Sequence, residues 1–352
     1  MIGPSGMVEY WRSRILLTVL ITAPLMTHAQ QDSKKVALRP LEDVDSLFVM
    51  GFSRKNDFRV HYTSNRYGLE YGSKHSSGPA VGGVFANTSD MLGGGFTYKF
   101  IDIDLTFSLP QSKVLQTGLQ NLEQFRLSGS FSSRQWTIRG YWLQSTGLVA
   151  ADPSGEFISG PSLDMLSLGV PFTYYFNHER YSFRAAAFQS ELQRRSAGSF
   201  LARIEPFYRR LGVATPIVPA GLDVPAIYGE QAGLSYAYAP GVVVMPGYGY
   251  NLSAGDGRWF VSTMIFAGGG VAVNVFKGNA GERTSVNAEW RGSAMVNVGY
   301  NSTRIYAAFR STYDLNYFLL DPSYFFTSDL KLGITVGYRF TAFEGFLPEN
   351  LF

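Results

Sequence analysis

The groups in this chain with chemistry to offer are charges set at every second position among apolar residues. Lys99, Arg126, Arg139, Arg184, Arg203, Glu289, Arg291, Arg310, Lys331 and Arg339 all sit in such alternations, and Asp102, Asp104 and Glu205 join them with the opposite sign. Where successive side chains point to opposite faces, these groups share one face with small and polar neighbours. If that face bounds water, the excess of cations favours anionic solutes, with Arg126, Arg184, Arg291, Arg310 and Lys331 setting the selectivity. If the face is packed, cations and carboxylates pair across it and seal it; the mixed signs favour this second reading. Hydrolytic chemistry would need a histidine beside a serine and a carboxylate or amide. Of His61, His75 and His178, only His61 falls on the charged face, so no enzyme is expected and a lipid-modifying activity is the weaker alternative. Gly93-Gly94-Gly95 and Gly268-Gly269-Gly270 are not phosphate loops, because no helix follows to offer its N-terminus. They are expected to relieve crowding where a strand bends.

The elements that must carry these groups are strands. From Leu330 to Phe340 one face holds Leu330, Leu332, Ile334, Val336, Tyr338 and Phe340, and the other holds Lys331, Gly333, Thr335, Gly337 and Arg339. A strand of about ten residues, tilted by about 45°, spans a bilayer's hydrocarbon, and a closing aromatic pair suits the membrane boundary. Phe58, Val60 and Tyr62 alternate with Arg59, His61 and Thr63 in the same way. Thr284 to Tyr300 keeps one alternation throughout, longer than the five or six residues typical of soluble sheets. Between Gly94 and Ser108 the phase slips once, and the step from Phe100 to Ile101 predicts a β-bulge.

The beginning of the chain reads as a leader. Arg12 and Arg14 precede the apolar run Ile15 to Met26, and Thr27-His28-Ala29 offers small residues before a cut at Gln30. That run would rise only about 18 Å as a helix, short of the roughly 30 Å of hydrocarbon. Residues 1–29 are therefore expected to be a cleaved signal peptide, 30–56 a periplasmic segment, 57–340 the barrel and 341–352 a tail. The chain has no cysteine, which excludes an acylated anchor, a disulfide framework and a thiolate metal site, and no cofactor is expected. Charged residues make up only 16% of the chain and aromatics 15%, which leans away from a soluble domain and toward two interfacial girdles. A net charge of +3 is too small and too evenly spread to imply a nucleic-acid partner.

Connection lengths orient the strands, since barrels of this kind have short turns on one side and longer loops on the other. Turns at Ser132-Ser133, Asn177 to Glu179 and Asn301-Ser302 fall together if Leu109 to Gln120, Ser145 to Ser162, Lys277 to Arg283 and Asp314 to Thr327 fall opposite. That parity holds with fourteen strands if Glu230 to Ala239 and Val242 to Ser253 count as two, which puts Leu211 to Gly229 on the periplasmic side. Twelve strands remain open. The result is an all-β, antiparallel, up-and-down transmembrane β-barrel of about 12–14 strands.

One stretch carries a resemblance. Phe176-Asn177-His178-Glu179-Arg180-Tyr181-Ser182-Phe183-Arg184-Ala185-Ala186, followed by Gln193-Arg194-Arg195-Ser196-Ala197-Gly198-Ser199-Phe200, resembles the domain-of-unknown-function family numbered 4421, found in outer membranes of Bacteroidota. Gly95-Phe96-Thr97-Tyr98-Lys99 running into Leu105 to Pro110, and Gly247 to Asn251 leading to Trp259-Phe260, are similar too. The resemblance implies a Gram-negative outer-membrane barrel and brings no catalytic or binding residues with it. The expected role is a narrow passive channel or a structural barrel of the envelope, in contact with outer-membrane lipid. The alternative is a partner subunit of a larger envelope complex, with Tyr317 to Leu320 and Tyr324 to Phe326 as an aromatic contact loop. Tyr338 and Phe340 are the candidate signal for the outer-membrane assembly machinery.

Overall fold

The computed structural model describes residues 38–53, 56–73, 81–109, 123–151, 157–213, 235–278, 281–320 and 323–341. The expected leader, residues 342–352 of the expected tail, His75 and residues 214–229 of the proline-rich stretch lie outside them.

The alternating segments are strands: β1 (Leu38–Arg39), β2 (Val49–Phe52), β3 (Asn56–Ser73), β4 (Val81–Tyr98), β5 (Ile101–Ser108), β6 (Glu123–Ser132), β7 (Trp136–Ala151), β8 (Phe157–Gly169) and β9 (Phe172–Tyr175). After helix α1 (Phe183–Phe188) come β10 (Glu191–Gln193), β11 (Ala197–Val213), β12 (Tyr236–Ala254), β13 (Trp259–Gly278), β14 (Gly281–Asn301), β15 (Ile305–Leu320) and β16 (Ser323–Phe340). Antiparallel neighbours run from β3 around to β16, and β16 closes on β3 from the Ser323–Ser73 pair to the Phe340–Asn56 pair. β8 and β9 keep one register against β11, and against β7 from Trp136 to Ser145, on either side of a break at Val170-Pro171, where proline has no N–H to give; the β7–β8 register shifts only beyond Ser145. They are two halves of one strand position, so the thirteen strands of this sheet make a ring of twelve.

Burial is inverted relative to a soluble protein. Val286, Trp290 and Ile334 expose 69%, 60% and 57% of their surfaces, while Glu289 and Arg339 expose 0% and 1%. Apolar rows on the outside are stable only against hydrocarbon, and a spanning sheet must close so that no backbone edge is left unpaired there. Both conditions hold, and the fold is a transmembrane β-barrel. At the end where Asn56 and Phe340 lie, here the terminus end, aromatic rings succeed one another around the wall: Phe131 on Trp136 at 5.6 Å, Trp136 on Phe172 at 5.9 Å, Phe200 on Tyr248 at 5.3 Å and Trp259 on Tyr300 at 5.1 Å. This is an interfacial girdle.

The strand count corrects one expectation. Glu230 to Ala239 and Val242 to Ser253 do not form two strands, because Tyr236 to Ala254 runs on as the single strand β12. Pro240 and Pro246 suggest a break, yet the β12–β13 register is unchanged and its ladder lapses only at Ala239-Pro240 and Met245-Pro246. β11 therefore ends at Val213, and β12 begins at Tyr236, at the opposite, loop end, not on the side of the short turns. The phase slip at Phe100–Ile101 is a hairpin, not a bulge: Lys99 and Phe100 form the turn between paired Tyr98 and Ile101, with Lys99 at φ 55°. The aromatic stretch Tyr317 to Phe326 is not a loop either. Tyr317 pairs with Phe326 and Phe318 with Phe325 across β15 and β16, and the Phe318 and Phe325 rings stack at 5.1 Å inside the barrel.

The largest departure is at Asn177 to Glu179, which does not form a short turn between wall strands. It opens a segment that runs from Phe176 to Ser196 between β9 and β11 and contains α1 and β10. Ser182 caps α1, its Oγ accepting from the Ala185 amide at 2.9 Å, and Gln189 ends it in the left-handed region at φ 56°. β10 pairs with β2, and β2 with β1, so that residues of the polar N-terminal segment join the insertion in a three-stranded sheet. The barrel's apolar core forms around this segment, with Tyr181, Phe183, Ala186 and Ala187 against Leu201, Val243, Met245, Met264 and Phe266 of the wall.

Candidate functional site in the barrel lumen

The inserted segment is held by polar groups of the wall. A helix leaves its last carbonyls without intrahelical donors. Here Asn297 Nδ2 donates to the Ala186 carbonyl at 2.9 Å, and Arg310 donates to the Ala187 carbonyl. Arg339 donates to the carbonyls of Gln189 and Ser302, and to Asn301 Oδ1 at 2.7 Å. Asn251 Nδ2 donates to the Ser182 carbonyl at 2.9 Å, and Asn301 Nδ2 to that of Glu191 at 3.0 Å. Phe183 stacks on Tyr175 of β9 at 4.6 Å. The N-terminal segment closes over this arrangement: the Asp45 amide donates to the Glu179 carbonyl at 2.9 Å, and Arg180 and Arg195 lie over the Phe48 ring. Cationic and amide side chains from four wall strands, β12, β14, β15 and β16, thus fasten one short helix and its flanks in the lumen.

Behind this plug lies a cavity of about 410 Å³, with Phe183, Ala187, Phe188 and Gln189 among the residues that bound it. Among the described residues, eight lysine or arginine side chains and five carboxylates line it. Three groups of ion pairs account for all the carboxylates. Arg59 holds Asp102 at 2.5 and 2.9 Å and Asp104 at 3.1 Å. Glu289 Oε1 accepts from Arg209 at 2.8 Å and from Arg291 at 2.7 Å, and Arg291 reaches on to Glu205 at 2.6 Å. Lys331 bridges Asp314 at 3.0 Å and Asp329 at 2.5 Å. The glycine row opposite the first group makes room for it: a Cβ at Gly95 would lie 2.4 Å from the Arg59 guanidinium carbon, and one at Gly93 would lie 2.2 Å from His61 Nε2.

Four guanidinium groups remain. Arg126, Arg139, Arg203 and Arg310 line the cavity without a carboxylate at ion-pair distance among the described residues. Arg139 Nη2 donates to Ser128 Oγ at 3.0 Å, Arg203 lies over the Phe266 ring at 3.8 Å and donates to Thr173 Oγ1 at 3.3 Å, and one nitrogen each of Arg126 and Arg310 is buried without a partner.

Among the groups singled out from the sequence, Arg126, Arg291, Arg310 and Lys331 stand on this cavity. Glu289 is buried behind it in the wall, and Arg339 lies buried at the insertion. Arg184 is on α1, not on a wall strand, 3.5 Å from Glu191 and 3.2 Å from the Lys99 carbonyl. His61 faces inward, 3.0 Å from Thr106 Oγ1 and 3.6 Å from Asp104, whereas His178 sits in a turn beside Gln135. Tyr338 is exposed on the outer wall, and Phe340 lies beside Phe96 at 6.2 Å. Sequence reading passed over Arg209, Asp314 and Asp329. The adjacent Arg210 hides the parity of Arg209, Asp314 opens the expected loop Asp314 to Thr327, and Asp329 lies between that loop and the strand expected from Leu330.

A family model described as a domain of unknown function, DUF4421, matches residues 43–340. No curated protein matches the chain. Among solved structures the chain is similar to the outer membrane protease OmpT from Escherichia coli, at 8% identity over 82% of this chain and 98% of that one, with a TM-score of 0.36. It is also similar to the outer-membrane OmpT of Vibrio cholerae, at 8% identity over 80% and 97% of the two chains with a TM-score of 0.32. A third similar structure is Neisserial surface protein A, at 8% identity over 80% and 97% with a TM-score of 0.24.

Proposed function

The chain belongs to the DUF4421 family, and we propose that it is an outer-membrane barrel of a Gram-negative bacterium, one of the Bacteroidota, held closed at rest by its own inserted segment. Of the two roles the barrel fold accommodates, passive channel and structural barrel, the lumen favours the second for the resting protein. The observation that carries this reading is the fastening of α1 to the wall through Asn251, Asn297, Asn301, Arg310 and Arg339. An open pore would leave those donors to water. A cleaved leader, residues 1–29, delivers the chain, and the terminus end faces the periplasm. Apart from the inserted segment, the connections at that end, residues 99–100, 133–135, 255–258 and 302–304, are all short, whereas the long connections 109–122 and 214–235 join strands at the other end, which supports this orientation. Tyr338 and Phe340, on the last strand, are the residues we infer the assembly machinery to read.

Electrical recording tests the closed state. The full mature chain, refolded and reconstituted in planar bilayers, is expected to give no stepwise conductance even at high protein load. Sustained stepwise current through the wild-type protein would overturn the reading.

A further inference from the structure

We propose that the lumen binds a small oxyanion of the phosphate class, free or carried on a small sugar, through Arg126, Arg139, Arg203 and Arg310. This rests on the lumen being the functional site, not on whether the pore is closed. The argument begins with charge. Among the described residues, every carboxylate on the cavity is already engaged by Arg59, Arg291 or Lys331, and Arg209 is taken by Glu289 behind it, which leaves four guanidinium groups without a carboxylate and the lumen with an excess of two positive charges. The four are not scattered: Arg139 interacts electrostatically with each of the other three, and Asp102 and Asp104, the carboxylates that act on it, are both held by Arg59. Like charges gathered inside a barrel repel, and each buried one without a carboxylate carries a desolvation cost.

Unfilled hydrogen-bonding capacity adds a second observation. Arg126 Nη2 and Arg310 Nε are buried without a partner, although both side chains border a cavity large enough for a small ligand. Guanidinium forks match the oxygens of phosphate in pairs, so one anion bridging several of them would satisfy charge and donors together. Thr63, Ser128 and Ser167 on the same cavity could bond further oxygens of such a ligand. A neutral solute would satisfy the donors and leave the repulsion in place.

Binding is read by calorimetry and by thermal unfolding of the detergent-refolded full chain, with inorganic phosphate, glucose 1-phosphate and glucose as probes at constant ionic strength in chloride. Phosphate, glucose 1-phosphate or both are expected to bind and to raise the melting temperature, and glucose is not. Binding of the ester alone would make a sugar phosphate the ligand, and binding of both would make it the free anion group. Arg126→Gln with Arg139→Gln is expected to weaken binding at least tenfold. Because loss of two arginines could also disturb folding, Ser128→Asp serves as the second variant, setting a carboxylate where Arg139 now donates at 3.0 Å. It is expected to melt above the wild type without ligand and to gain nothing from phosphate. Neither phosphate species raising the wild-type melting temperature above chloride would overturn the proposal, and so would an equal rise in the wild type and Ser128→Asp. Both readings are independent of conductance, so a conducting wild-type protein would remove the closed state and leave this site standing.

Discussion

Glu289→Gln is expected to lower the unfolding free energy by about 3–5 kcal/mol, the scale on which breaking a buried ion pair at one partner destabilises a protein. Glu289 is fully buried on β14, and its Oε1 alone receives Arg209 at 2.8 Å and Arg291 at 2.7 Å. Glutamine preserves shape and volume while removing the charge. Arg291 would keep Glu205 at 2.6 Å, but Arg209 would be left without a carboxylate, and its Nη1 already lacks a partner. Urea titration of the barrel in lipid vesicles measures the loss. The double variant Glu289→Gln with Arg209→Gln should lose less than the sum of the two singles, because removing both charges strands neither. A single-variant loss below about 1 kcal/mol would place this pair with exposed ones and contradict its burial.

Replacing Phe183 to Ser190 with a short Gly-Ser linker is expected to turn a silent protein into a conducting one. The hydrogen-bonded ring from β3 to β16 does not pass through α1, so the wall remains closed without it. What is lost is the stack of Phe183 on Tyr175, the apolar packing of Ala186 and Ala187, and the capping of their carbonyls by Asn297 and Arg310. Water then reaches a lumen in which Arg59, Arg209, Arg291 and Lys331 hold six carboxylates between them, and the four remaining guanidinium groups turn the balance positive. Anions should therefore carry most of the current, and Arg291→Glu in this background should reduce that preference. Planar-bilayer recording under a salt gradient gives both the steps and the reversal potential. A folded variant that stays silent, or one that prefers cations, would show that the plug or the sign of the lumen has been misassigned.

The wall was largely legible in the sequence and the lumen was not. Side chains on a strand have a period of two and hydrocarbon tolerates no charge, so Leu330 to Phe340 and Thr284 to Tyr300 declare both their structure and their outer face. The same logic misled at prolines. Pro240 and Pro246 imply a break in a soluble sheet, but β12 carries them past gaps in its ladder with β13, and twelve strands look like fourteen. At Lys99-Phe100 a turn of two residues shifted the parity by one step, which cannot be told from a bulge until pairing partners are known. Helix α1 left almost no trace: Phe183 to Phe188 is shorter than two helical turns, and only Ser182 marks its start. The ion pairs join residues as distant as Arg209 and Glu289, whose partnership depends on which strands face each other across the ring.

Everything rests on which face of the wall meets lipid. The natural chain has no cysteine, so single cysteines placed in turn from Leu330 to Phe340 can each carry a spin label without background. Labels at Leu332, Ile334, Val336 and Tyr338 should collide freely with oxygen dissolved in the bilayer and little with a water-soluble relaxant. Labels at Lys331 and Thr335 should show the reverse ordering or shielding from both. Oxygen accessibility that alternates every second residue in this phase is the result the barrel requires. Accessibility that is uniform along the strand, or alternates in the opposite phase, would contradict it.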